Sequence, residues 1–247
     1  MLMYHDQGDH VVTRDQLQYI PTPEPMGPRH KPVSFYDYAC LVQEKAQQYG
    51  LHPSTEEYVL NKDNMRFFGV ITLSSNIGTS GYEFMLGLKG SHDRSVPRGL
   101  AIGTRVFVCS NLAFTGDLGT ITTKQTLNID DRIHDFINSG LDMVSNRMSY
   151  ISSLYDDWKD CRVTPQRADN FLCDLYRKNI LPAADLGVAL KEWVDPTYKE
   201  HEEYGDSLWK LFNACTQSVK PRGANANMFT VSERTHKIHR EIEKEFG

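Results

Sequence analysis

The segment RFFGVITLSSNIGTSGYEFMLGL (residues 66–88) decides the fold class of this chain. Its two ends, residues 66–73 and 82–88, are rich in β-branched and aromatic side chains, and the stretch between them is rich in Gly, Ser and Asn. This pattern predicts two strands joined by a turn. Further strands are expected at AIGTRVFVCS (residues 101–110), at the less apolar TITTKQT (residues 120–126) and, more briefly, at residues 58–60. Together they predict an antiparallel sheet of about four to five strands across residues 58–126.

Helical periodicity flanks this predicted sheet on both sides. Residues 34–49 begin with Ser34, which can cap a helix, and carry an apolar stripe. A long helix is expected from Asn128, because apolar residues then recur at helical spacing as far as Ile151. Further helices are expected at residues 165–179, 182–194, 206–219 and 232–246. Strands in one block followed by helices in another indicate an α+β protein, with the long helix packed on the sheet and a helical C-terminal half.

The chain divides into two parts by composition. Five prolines between residues 20 and 32 predict an extended connector, because proline lacks an amide donor and fixes φ. We therefore expect residues 1–33 to form an extended N-terminal segment. Residues 34–247 are expected to form a single α+β domain, with a β-rich core at residues 58–126 and a helical part at residues 128–247.

Net charge limits the class of ligand. The 247 residues carry a net charge of −5 at pH 7, which excludes a strongly basic protein that binds DNA non-specifically. Residues 62–126 nevertheless carry seven basic and four acidic side chains. A positive segment inside an acidic protein favours a local anion site.

Apolar runs and cysteine spacing bear on the compartment of the protein and on its cofactors. No apolar run approaches the roughly 20 residues that span a bilayer, and the start of the chain lacks the pattern of a signal peptide. We therefore expect a cytoplasmic protein without membrane contact. Its five cysteines are scattered without a CxxC motif, which indicates reduced thiols rather than disulfides or a zinc site. No motif predicts a cofactor or a metal ion.

The densest polar cluster is KGSHDRS (residues 89–95). Adjacent Ser91, His92 and Asp93 do not indicate a catalytic triad, because triad members converge from separate parts of a chain. Basic side chains spaced by glycines instead favour an anion site, since glycine lets backbone amides approach a ligand. The alternative is a tight turn in which Asp93 accepts from loop amides and the basic side chains lie in solvent. The residues expected to contact phosphate are Lys89, His92, Arg94, Arg98, Arg105 and Lys124.

Cys109 and Asn111 end a predicted strand. A nucleophilic thiolate needs a neighbouring base and a lowered pKa, and the sequence shows no partner for Cys109. A packed thiol is the simpler interpretation. Asn111 can close the following turn through its side chain.

A resemblance rests on three motifs: SHDRS (residues 91–95), RVFVCSNLAFTG (residues 105–116) and KQT (residues 124–126). These resemble the phage/plasmid-like protein family filed as domain of unknown function 932 (DUF932), in which Ser91, Asp93, Cys109 and Asn111 belong to the shared motif. The strand RFFGVITL and the late segment LWKLFNACT (residues 208–216) are also similar. Gln125 stands where many members have His. The resemblance implies occurrence in phages, plasmids and bacteria, and it names no catalytic residue.

Three functions remain open. The first is non-enzymatic binding of single-stranded nucleic acid by a phage or mobile-element protein, as in DNA annealing during recombination. Bases can stack on aromatic side chains of the strands, although these rings can equally fill the core; they are Phe67, Phe68, Tyr82, Phe84 and Phe107. The second is an anti-defence role in host–virus conflict, in which the acidic residues 127–212 bind a host defence protein or the protein binds a nucleotide signal. The third is an enzyme acting on a phosphate-containing substrate. Homo-oligomerisation is also left open.

Overall fold

Seven strands form one antiparallel sheet in the part of the chain that the computed structural model describes, namely residues 9–74, 82–106, 111–114, 120–220 and 228–247. Strands β1 to β6 follow one another across the sheet, and β7 pairs with β5 beside β6. The α+β class and the antiparallel sheet are confirmed, with more strands than the four to five expected. The strands are β1 (His10–Val12), β2 (His52–Leu60), β3 (Arg66–Ser74), β4 (Tyr82–Ser91), β5 (Arg98–Val106), β6 (Asn111–Phe114) and β7 (Thr120–Thr123).

The N-terminal segment contributes to this sheet. Strand β1 pairs with β2, with His10 opposite Leu60, so part of the segment expected to be extended belongs to the sheet. Helix α1 (Arg14–Leu17) follows, capped by Thr13, whose side chain accepts from the Gln16 amide at 3.2 Å. A three-residue strand is too short to show the alternation by which a sequence reveals a strand.

Six longer helices complete the described fold, and the predicted helices are confirmed with small changes at their ends. Helix α2 is capped by Ser34, whose Oγ accepts from the Asp37 amide at 3.2 Å. They are α2 (Phe35–Gln48), α3 (Ile129–Asp160), α4 (Pro165–Arg177), α5 (Ala183–Val194), α6 (Leu208–Ser218) and α7 (Met228–Phe246). None of these described helices has both the length and the apolar character that crossing a bilayer requires.

Helix α3 lies directly on the sheet at Gly140. A Cβ atom there would come within 2.6 Å of Leu100 Cδ2 and 2.8 Å of Ile121 Cδ1, so the missing side chain permits the close approach of α3 to β5 and β7. The apolar stripe of α3 is buried along its length, as its periodicity predicts. The contact shows that Leu100 faces the helices, and its strand neighbours at odd positions face the opposite side.

An aromatic cluster joins the sheet to the helical half. Tyr155 of α3 lies 5.0 Å from the ring of Tyr82 on β4 and 5.0 Å from that of Trp209 on α6. Its hydroxyl is 3.1 Å from Thr104 Oγ1 of β5. One continuous set of buried apolar side chains therefore runs from the sheet into the C-terminal helices.

Replacing Gly69 by Ala should destabilise the protein by about 1–3 kcal/mol, because a Cβ there would lie 2.7 Å from a ring atom of the fully buried Tyr58. Strand propensity alone predicts the opposite sign. Gly187→Ala is the matched control in α5, where a Cβ meets nothing within 4 Å, and it should be neutral or slightly stabilising. Urea unfolding of both variants measures the difference, and a Gly69→Ala variant as stable as wild type contradicts this packing.

Candidate functional site

The SHDRS motif forms the turn between β4 and β5. The Ser91 amide donates to the Val96 carbonyl at 3.1 Å, and the Val96 amide donates to Ser91 Oγ at 2.9 Å. Ser91 is fully buried, so its side chain closes the turn from inside. This explains a serine at this position without any catalytic role.

Asp93 organises the exposed tip of this turn. Its carboxylate accepts from the Ser95 amide at 2.9 Å and from Arg66 Nε at 3.4 Å. Partial burial alone would raise the pKa of Asp93, but hydrogen bonds from Ser95 and Ser91 and the charge of Arg66 lower it to about 2. The arrangement matches the tight turn expected as the alternative to an anion site, at least for this carboxylate.

A Ser–His–Asp triad is absent from the turn. Neither ring nitrogen of His92 has a hydrogen-bond partner among the described residues, so Asp93 does not orient this imidazole. His92 is instead held through its backbone amide, which donates to the Met65 carbonyl at 2.8 Å. Acid–base chemistry by this trio therefore has no geometric support.

Arg94 occupies the exposed tip in a strained conformation. Its φ of 65° lies in the left-handed region, which glycine or asparagine adopts at lower energy. The turn thus presents an exposed guanidinium at a position where glycine or asparagine would fit with less strain. Strained residues of this kind cluster at functional sites.

His92 and Arg98 lie inside the protein rather than at its surface. His92 is 1% exposed and stacks on Phe35 of α2 at a ring-centroid distance of 3.9 Å. Arg98 is 0% exposed, and its guanidinium carbon lies 4.7 Å from the Phe35 ring centroid and 5.4 Å from that of Tyr38. Neither residue can contact a phosphate at the surface of this fold, because both belong to the helix-facing side of the sheet.

The proline-rich segment covers these two residues and adds His30, which sequence reasoning missed. Arg98 Nη2 donates to the Val33 carbonyl of this segment. His30 is 5% exposed, and its Nδ1 accepts from the Met26 amide at 3.0 Å. We name His30, His92 and Arg98 the buried basic cluster. No sequence signal could identify His30, since only the long-range fold brings it to His92.

Gln125 ties three segments together at this end of the sheet. Its Oε1 accepts from the Val33 amide at 2.8 Å, and its Nε2 donates to the Ser91 carbonyl at 2.6 Å. Its own carbonyl accepts from the Lys31 amide at 3.2 Å. The residue that departs from the resembling family is therefore a structural brace between the proline-rich segment and the SHDRS turn.

Exposed cations surround the same end of the sheet. Lys89 is half-buried on β4, and its stem lies over Gly99, where a Cβ would come within 2.8 Å of Lys89 Cε. Lys124 is exposed just beyond β7. Arg132 of α3, which sequence reasoning also missed, donates to the Lys124 carbonyl at 3.2 Å. With Arg94 at the turn, these residues form what we call the cation patch (Lys89, Arg94, Lys124 and Arg132).

The remaining predicted residues are placed as follows. Arg105 lies on β5 opposite Leu112, and Asn111 begins β6, but neither side chain is among those that the structure describes. Cys109 lies outside the described residues. Within those residues, no group of three or more His, Cys, Asp or Glu side chains is arranged to hold a metal ion.

Most of the aromatic side chains proposed to stack on bases fill the core instead. Phe67, Tyr82 and Phe84 are at most 3% exposed. Phe107 lies outside the described residues. Phe68 differs, because it is half-buried and pairs with Lys89 across β3 and β4, which places both on the side of the sheet away from the helices.

Comparisons of the chain with protein-family models, with curated proteins and with solved structures found no match. The resemblance to domain of unknown function 932 therefore stays a prediction. What the geometry defines is an α+β protein with a buried basic cluster and a cation patch at the same end of its sheet.

Replacing Gln125 by Glu should destabilise the protein by about 1–3 kcal/mol, because a carboxylate cannot donate to the Ser91 carbonyl and leaves two buried acceptors facing each other. Gln47→Glu on the exposed side of α2 is the control and should change stability by less than about 0.5 kcal/mol. Chemical denaturation at pH 7 measures both. Equal stability of Gln125→Glu and wild type would show that the brace contributes nothing.

Stability should fall as the pH drops from 6.5 towards 4. Burial, and then the charges of Arg98 and His30, lower the pKa of His92 to about 4 from the ordinary 6.5. Between these two values the unfolded chain binds a proton at His92 that the folded protein does not bind, so acid favours unfolding. Between pH 7 and pH 5 this residue alone should account for a loss of about 2 kcal/mol.

The His92→Phe variant tests the assignment, since phenylalanine preserves the ring stack on Phe35 but does not titrate. Urea unfolding at pH 7 and pH 5 should show a smaller loss of stability in the variant than in wild type. The same loss in both proteins would exclude His92 as the titrating group.

Proposed function

We propose that this protein binds single-stranded nucleic acid without catalysis, through the phosphates, at the cation patch. The observation that carries the proposal is the grouping of four cations, three of them exposed, at one end of the sheet. Lys89 and Arg94 flank the β4–β5 turn, and Lys124 follows Thr123, which pairs with Arg98 at the start of β5. Antiparallel pairing therefore brings all three to the same end of the sheet.

The local charge balance supports anion binding here. The carboxylate of Asp93 in the same turn pairs with Arg66, and Asp130 at the start of α3 pairs with Lys31. Neither of these two carboxylates is therefore paired with a cation of the patch among the described residues. Affinity supplied by a few phosphate contacts depends strongly on salt concentration.

Phe68 gives the patch a surface that suits single strands. Residues paired directly across neighbouring strands lie on one face, so Phe68, Lys89, Gly99 and Thr122 form one row across the sheet. A partly exposed ring beside a lysine can stack on an unpaired base while the ammonium group contacts the phosphate. Duplex bases are already stacked and do not offer this contact.

The finer role, annealing or recombination in a phage or mobile element, rests on the resemblance stated above. No other observation among the described residues favours either alternative function. An enzyme would require a convergent acid, base and nucleophile, and His92 and Asp93 do not supply the first two.

Fluorescence anisotropy with a labelled thymidine oligonucleotide should show binding at low salt that weakens as salt rises. Arg94→Gly with Lys124→Ala should lower affinity at least tenfold and make the slope of log K against log salt shallower by about 0.7 for each lost phosphate contact. The glycine relieves the strained φ of residue 94, so loss of binding cannot be attributed to unfolding.

Two further variants separate charge from stacking. Phe68→Leu should lower affinity without changing the salt slope, because it removes a ring and no charge. Arg177→Ala, at an exposed arginine of α4 that pairs with Asp174, should bind as wild type does. Absent or salt-insensitive binding by wild type, or unchanged binding by the double variant, would overturn the proposal.

A further inference from the structure

The buried basic cluster contains hydrogen-bond donors without acceptors. Five nitrogen atoms of these three residues are shielded from solvent and have no partner among the described residues. They are His30 Nε2, His92 Nδ1, His92 Nε2, Arg98 Nε and Arg98 Nη1. Buried polar groups in folded proteins are almost always paired, so a concentration of this kind requires an explanation.

The tautomer of His30 follows from its single hydrogen bond. Its Nδ1 accepts from the Met26 amide and so carries no proton, which places the proton of the neutral ring on Nε2. That Nε2–H group is therefore a donor. Arg98 Nε and Nη1 are donors by nature, because a guanidinium has no acceptor. Donors thus outnumber acceptors, since neutral His92 supplies only one acceptor nitrogen.

The cluster also carries an unbalanced positive charge. Burial lowers the pKa of both His30 and His92, so both rings are neutral at pH 7 and the charge is that of Arg98 alone. No carboxylate among the described residues pairs with Arg98. Helix α2 begins at Phe35, which contacts both His92 and Arg98, so the positive end of its dipole adds to the same imbalance.

We propose that the buried basic cluster is a binding site for one small inorganic anion, which contacts Arg98 Nε or Nη1 and the Nε2–H group of His30. One monovalent anion matches the one uncompensated charge, and it accepts from several donors without requiring acceptors in return. A water molecule could also accept from these donors, but it would leave the charge of Arg98 uncompensated. Arg98 is 0% exposed, so an anion held there is shielded from solvent.

The site is independent of the proposed nucleic-acid surface. The cluster lies on the helix-facing side of the sheet, whereas Lys89 lies on the open side. Anion binding can therefore be measured without nucleic acid. The single variant Lys124→Ala should keep the anion response while its affinity for the oligonucleotide falls, so the two proposals can fail separately.

Thermal unfolding in sodium chloride, sodium phosphate and sodium gluconate at equal ionic strength tests the proposal. Chloride or phosphate should raise Tm by roughly 5 °C more than gluconate at saturation, and the dependence on concentration should fit one site. Which of the two anions acts identifies the ligand. Equal Tm values in all three salts at every concentration would overturn the proposal.

Variants locate the response. Arg98→Met and, closer to the surface, His30→Phe should each abolish the excess of Tm in chloride or phosphate over Tm in gluconate. Arg177→Met should preserve this excess. An undiminished excess in a folded His30→Phe variant would exclude His30 as a ligand.

Crystals of the wild-type protein grown in sodium bromide give a readout that does not depend on any variant. An anomalous peak within hydrogen-bonding distance of Arg98 Nε or Nη1 is the expected result. A water molecule at that position, without anomalous signal, would overturn the proposal.

Discussion

The burial of the Arg98 guanidinium between the sheet and the start of α2 is the constraint on which this end of the molecule depends. It requires a glycine at position 90, where a Cβ would lie 2.6 Å from Arg98 Nη1. It also orders the proline-rich segment, through the bond from Nη2 to the Val33 carbonyl. Tyr38 adds a contact, because its hydroxyl donates to the Gly99 carbonyl at 2.9 Å. A charged residue thus fixes the geometry of this region, at an electrostatic cost that a counter-charge would relieve.

The pleat of the sheet divides the basic residues of one short segment into two populations. Lys89 and Gly99 are partners on the open face, while Gly90 and Arg98 face the helices. Basic residues only a few positions apart in sequence therefore have opposite environments. Those on the open face keep their hydration and can exchange it for a ligand. The basic residues on the helix-facing side have already lost their hydration, so they favour an anion that stays bound in the folded protein.

The sequence predicted the elements well where a pattern is long and failed where the decisive contact is distant. The stripe of α3 repeats over nine turns and left no ambiguity, whereas β1 has three residues and pairs with residues 58–60. The burial of Arg98 could be predicted from the sequence, because Arg98 precedes Leu100 and Ile102 at two-residue spacing and so shares their buried face. His30 had no such signal, because its place in the cluster depends on His92, far along the chain. Arg132 contacts the Lys124 carbonyl only eight residues away, but nothing in the helical pattern of α3 marks that contact. Basic residues in a glycine-rich segment are expected to be exposed. Arg94 is exposed, whereas His92 and Arg98 are buried.

The bracing of the proline-rich segment has a consequence for how the chain reaches this state. The contacts of Val33 with Arg98 and Gln125 span 65 and 92 residues of sequence. The proline-rich segment is synthesised before these partners, so it cannot dock until the β4–β5 hairpin and β7 exist. Contacts between residues so far apart raise the contact order, which slows folding. The five prolines between residues 20 and 32 keep this segment extended before it docks, and they prevent it from forming misplaced strand pairings.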